Sequence, residues 1–209
     1  MQAERGASIH LDIPFYRQHY DFTCGPASLM MAMKYLDNDL RLGKELEIDI
    51  WREGNLVVVC GTSRYGLAYS AAVRGLSARV TSNTGGIDFV DRFVPPLSDP
   101  DMQMLKDHFY ERRTRCRKLG VQERQKTITD KTICKSLFLN HVPLIVTNSL
   151  VFSKEDLPHW VAVTGIDDKF MYFNNPLDTN PRKRKIGLPA LQEFVGYRGD
   201  QSMVEIWKQ

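Results

Sequence analysis

The sequence predicts an α+β protein in which N-terminal helices pack on a C-terminal antiparallel β-sheet. Apolar residues recur at helical spacing through the earlier part of the chain. Four strand signals, "VPLIVTNS", "HWVAVTGID", "FMYFNNP" and "SMVEIW", then follow one another towards the C-terminus, and the first three are joined by short connections that favour antiparallel pairing. With 209 residues, 43% hydrophobic and 25% charged, the chain can bury one sizeable core without disulfides or a metal, so a single domain over 1–209 is expected.

Taken in order, "HLDIPFY" (10–16) suits a short strand. Residues 24–36 suit a helix, because Pro26 fits a first turn and Leu29, Met33 and Leu36 share a face. Part of "LRLGKELEIDIWREG" forms a second helix, and "LVVVC" (56–60) reads as a strand or a buried run. Residues 64–76 predict a helix whose Ala68, Ala71 and Ala72 allow close packing and which Gly75 ends, with "SARVTSN" (77–83) following as a strand. Pro95, Pro96 and Pro100 mark a loop before a long, surface-rich helix over 99–120 closed by Gly120. A further helix is capped near Asp130 and carries Ile133, Leu137 and Phe138.

Four well-separated cysteines (Cys24, Cys60, Cys116, Cys134), no C-x-x-C pair and no apolar N-terminal stretch point to a reducing, cytoplasmic location. No apolar run reaches the roughly 20 residues of a membrane span. The net charge of +3 is concentrated in two basic runs, 111–118 and 182–185. Such runs are most often solvated faces, and without aromatic interleaving or a motif they argue against nucleic-acid binding. If they act, they flank a cleft and favour acidic peptides.

The chemistry centres on "QHYDFTCGPAS". A thiol is nucleophilic as thiolate, and the positive end of a helix dipole lowers its pKa, so Cys24 is placed where that field acts. Gly25 leaves room for a substrate carbonyl beside backbone N–H groups, and the Gln18 side-chain NH₂ offers a second oxyanion donor. A cysteine at a helix start is as often a buried packing residue, and this stretch alone leaves both readings open. His159, directly after Pro158, opens a strand and is positioned to take the thiol proton. A hairpin turning at Asp167-Asp168 brings the end of the next strand beside it, where the Asn175 carboxamide can orient the ring. Alternation points Asn174 away, and Asp178 is a possible substitute orienter, though a surface turn suits it better.

These residues carry a resemblance. "Q-x5-C-G-P-A-S", "P-H-W-V-A-V-T-G-I-D" and "M-Y-F-N-N-P" resemble the C39-like branch of papain-fold cysteine peptidases, including stand-alone bacterial members without an ABC transporter. "WREG" and "YGLAYSAAVRGLSARV" extend the resemblance over most of the chain. It implies a papain-like fold, with Cys24 as nucleophile, His159 as base and then acid, and Gln18 as oxyanion donor. Such sequences usually end the second strand with Asp-Pro, where this one has Asn175-Pro176.

The implied activity is hydrolysis of a peptide or protein substrate through a Cys24 acyl-enzyme, without a cofactor. An amidase or acyltransferase using the same thioester, and a catalytically silent peptide-binding module, are the alternatives. A metal site from Cys116, Cys134, His108 and His141 matches no short ligand spacing, and Cys60 and Cys134 suit the core. Substrate identity and oligomeric state are not encoded legibly.

Overall fold

The computed structural model describes residues 8–87, 90–91, 96–181 and 183–208. Pro95, Arg182 and the first seven residues, on which parts of the loop, basic-run and N-terminal expectations fall, lie outside the described residues. The elements in order are β1 (Ile9–His10), α1 (Cys24–Leu36), α2 (Lys44–Gly54), α3 (Arg64–Ala72), β2 (Ser77–Ser82), α4 (Asp99–Lys118), β3 (Gln122–Gln125), α5 (Asp130–Phe138), β4 (Val142–Asn148), β5 (Pro158–Ile166), β6 (Phe170–Asn174), β7 (Arg184–Gly187), α6 (Leu191–Phe194) and β8 (Ser202–Trp207). Among the described residues no helix is long and apolar enough to cross a membrane.

The strands form one sheet ordered β3-β2-β8-β4-β5-β6-β7, with β1 added beside the end of β5. All pairings are antiparallel except β2 with β3, which are joined through α4 and run parallel. The α+β class therefore holds, but the sheet is not confined to the C-terminal part: β2 is one of its inner strands, paired on both edges. β3 and β7 are short, charged edge strands whose apolar content is too low to announce them.

Helices cover both faces of the sheet. Along β5, Trp160 and Ala162 join a core with α1 and α3, while Val161 and Val163 join a second core with α5 and α6. This alternation explains why β4 and β5 read as continuous apolar runs rather than as alternating ones. α4 is more exposed, and only Leu105, Phe109, Arg112 and Cys116 are buried, at helical spacing along one stripe.

Several expectations need correction. "LVVVC" is neither strand nor buried. Leu56 is covered, but Val57 is 55% exposed at φ 65°, and Cys60 is exposed. The segment closes tightly between α2 and α3, where Asn55 Oδ1 accepts the Val57 N–H and Leu56 N–H donates to the Gly61 carbonyl, so β propensity finds no free strand edge. Cys134 is only partly buried, and Phe138, at the outer side of α5, is 63% exposed. Thr129, not Asp130, caps α5, its side chain accepting from Thr132 N–H.

The contact of α2 with α3 requires two glycines. A Cβ on Gly66 would stand 2.2 Å from the Gly54 carbonyl oxygen and 2.5 Å from its Cα. Neither obstacle is a movable side chain. Gly66→Ala is therefore expected to destabilise the fold by at least the ~1–3 kcal/mol typical of overpacking, measured as a lowered urea midpoint.

Candidate active site

α1 begins at Cys24, and its first turns are entirely buried. It is held on β5 by Trp160: the Ser28 hydroxyl donates to the Trp160 carbonyl (3.1 Å), and the indole N–H donates to the Thr62 carbonyl (3.1 Å). The Cys24 sulfur lies against the backbone N–H groups of Trp160, Gly25 and Cys24 itself. The Trp160 amide belongs to the peptide bond that follows His159, so the thiol sits at the histidine's own stretch of backbone. Among the described residues no hydrogen bond joins the sulfur directly to the imidazole.

His159 is 4% exposed. Its Nε2 lies 2.8 Å from Asn175 Oδ1. The carboxamide orientation is fixed by two other contacts, since Leu177 N–H donates to Oδ1 (3.1 Å) and Nδ2 faces Asp178 Oδ1 (3.5 Å). Oδ1 can only accept, so Nε2 carries the proton and Nδ1 is left as the basic nitrogen. Phe152 meets the ring edge-on at 5.5 Å between centroids. Asn174 behaves as strand alternation requires, donating to the Ile13 carbonyl on the other face.

Asp178 is not a surface aspartate. It is 6% exposed and held by a two-pronged ion pair with Arg184, whose Nε and Nη2 both donate to it (2.8 Å and 2.5 Å). Arg184 in turn lies over the Phe152 ring. A line of contacts thus runs from His159 through Asn175 and Asp178 to Arg184. Its last member belongs to the run expected to be a solvated basic patch. The other basic run is partly ion-paired: Arg113 and Arg117 both bind Glu123, Arg115 binds Glu111, and Arg112 is buried over Tyr69. Most of 111–118 is an exposed helix face, as expected, while the partners Asp178 and Glu123 lie outside the two runs and leave no mark within them.

Gln18 is buried on the strap that enters α1. Its backbone N–H donates to the Pro176 carbonyl (3.0 Å), which joins the strap to the Asn175 loop. One side-chain N–H donates to the Tyr20 carbonyl (2.7 Å), leaving the second hydrogen of the NH₂ group for another acceptor, while Oε1 is buried without a partner. Gly25 does not open space as expected. A Cβ there would stand 2.0 Å from Thr62 Oγ1 and 3.2 Å from both Leu67 and Trp160, so the glycine permits close seating of the helix.

The electrostatics also depart from expectation. Burial pushes the Cys24 thiol up, and the three backbone N–H groups only partly offset it. Burial likewise pushes His159 down to about 4, against the opposing pulls of Asn175 and Asp178. Burial thus favours the neutral form of each group, thiol and imidazole alike. The expected lowering of the thiol at the helix start is thus outweighed by desolvation.

Of the paper metal set, Cys116 donates to the Tyr65 carbonyl and His141 stacks on Trp207. Among the described residues no three His, Cys, Asp or Glu side chains are grouped as metal ligands.

The α+β architecture, with a helix-start cysteine laid against the strand that carries a histidine, is that of cysteine-peptidase-like folds. A Bacillus anthracis protein whose crystal structure is described as a "putative C39-like peptidase" has this fold, with a TM-score of 0.51 and 14% identity over 97% of this chain and 98% of that one. The Peptidase_C39 like family matches residues 13–191, and the chain belongs to it. No curated protein matches the chain.

The His159 shift has a thermodynamic consequence. Unfolded, the ring takes its proton near 6.5, and folded near 4. Between those values the unfolded state binds more protons, so stability falls as pH drops through that window. On the order of 3 kcal/mol is at stake for a group this buried. The pH dependence of urea unfolding between about 6.5 and 4 is expected to be shallower in His159→Gln than in the wild type.

Proposed function

We propose that the chain is a cysteine peptidase or amide hydrolase acting on a peptide substrate through an acyl-enzyme on Cys24. One observation carries the reading: a thiol at the start of a buried helix lies against the peptide bond following a histidine whose Nε2–H is fixed by a carboxamide. That arrangement leaves Nδ1 as base. As Cys24 Sγ attacks the scissile carbonyl carbon, its proton passes to His159 Nδ1, and the carbonyl π pair moves to oxygen. The oxyanion is stabilised by the Cys24 backbone N–H and the remaining N–H of Gln18. Collapse expels the amine, which takes the proton from His159, and leaves a thioester. Water then attacks the thioester with His159 again as base, releasing the acid and restoring the thiol.

Asn175 holds the ring without adding charge. The charge that favours the transient imidazolium comes from Asp178, one residue further out and held by Arg184. A neutral resting pair suits this order of events, since the proton moves as the bond forms rather than beforehand.

The test is turnover of a peptide library, together with acyl adducts on Cys24 trapped from cell extract and identified by intact mass. Cys24→Ala and His159→Ala are both expected to abolish turnover while the far-UV circular dichroism stays that of the wild type. Near wild-type turnover by either variant removes the assignment.

A further inference from the structure

Glu47 is the one acid in the middle of α2 that is fully buried, and its carboxylate faces the strap of residues 16–23 that leads into Cys24. Four groups of that strap converge on it. The Tyr16 hydroxyl donates to Oε2 (2.9 Å), the His19 backbone N–H donates to Oε1 (2.9 Å), His19 Nδ1 lies 2.9 Å from Oε2, and the Thr23 hydroxyl donates to Oε1. Gln18 lies between two of these anchors, and Thr23 is the residue that enters α1. On its other side the strap is held by the hydrogen bond from the Gln18 N–H to the Pro176 carbonyl.

A buried carboxylate is costly unless its acceptor positions are filled, and here all the filling donors come from eight consecutive residues. A purely packing role would not need a charged centre, nor one whose bonds all go to the same strap. We infer that Glu47 is a positioning residue that fixes the Gln18 amide and the first turn of α1 relative to each other, and so builds the oxyanion site. This rests on the reading of Cys24 as nucleophile. Glu47 does not touch Cys24, so its loss alters where the oxyanion donors stand rather than whether the thiol can react.

That difference gives the test in the full chain. Acetylation of Cys24 by p-nitrophenyl acetate forms the thioester, passes the thiol proton to His159 and expels p-nitrophenolate through an oxyanion. Alkylation by iodoacetamide displaces iodide and forms no oxyanion. Both rates are followed by mass on the Cys24-containing peptide, so that the exposed Cys60 does not contribute. Glu47→Gln is expected to slow acetylation about tenfold or more while alkylation stays within about twofold of wild type. Tyr16→Phe, which removes one of the four donors, is expected to shift the ratio in the same sense by less, and it carries the test alone if Glu47→Gln does not fold. A folded variant that keeps the wild-type ratio of the two rates overturns the role of Glu47 and leaves the proposed function standing. Wild-type protein whose Cys24 is acetylated no faster than in His159→Ala overturns both.

Discussion

The seating of α1 on β5 through Trp160 is the constraint on which the rest of the site depends. One residue supplies three attachments: its carbonyl takes the Ser28 hydroxyl, its indole N–H reaches the Thr62 carbonyl, and its amide N–H meets the Cys24 sulfur. Two of these attachments use the Trp160 backbone, so the helix start is tied to β5 at the residue next to His159. The candidate nucleophile is thereby attached to the peptide bond that follows the candidate base. Gly25 completes the seating, since any side chain there would meet Thr62 before the helix closed.

That depth of burial determines the chemistry available. Removing thiol and imidazole from water disfavours the charged form of each, and both shifts run that way. A carboxylate directly on His159 would place a further unpaired charge in the same dry volume. The chain instead has a carboxamide there and sets the carboxylate one step away, where Arg184 neutralises it on the open side. The Asn-Pro sequence at 175–176 is thus accompanied by a buried Asp178 with its own counter-ion.

The parts of this site that were legible in the sequence are those encoded by local periodicity. The start of α1 at Cys24, the run of β5 from Pro158, and the opposite facing of Asn174 and Asn175 all follow from helical spacing, a proline and alternation. Asp178 was misplaced because its burial depends on Arg184, six residues on and across a turn. "LVVVC" was misjudged because β propensity measures fit to a sheet, and the nearby strands already have their neighbours. Glu47 did leave a signal. It shares a face of α2 with Ile50 and Gly54, and an acid in the apolar phase of an amphipathic helix implies partners waiting for it.

Those partners explain how a loop can hold the geometry that the proposed chemistry requires. Backbone segments without regular pairing are ordinarily the most mobile part of a fold, yet residues 16–23 carry Gln18, and its proposed role as oxyanion donor requires placement to within a fraction of an ångström. The strap has no ladder of its own. It is clamped between two elements that do: Glu47 on α2 draws in Tyr16, His19 and Thr23, and the Pro176 carbonyl beyond β6 holds Gln18. Pro176 adjoins Asn175, so the loop that orients His159 also anchors Gln18. A displacement of the Asn175 loop would disturb both at once, and on the proposed roles this ties the basic and oxyanion halves of the site into one mechanical unit.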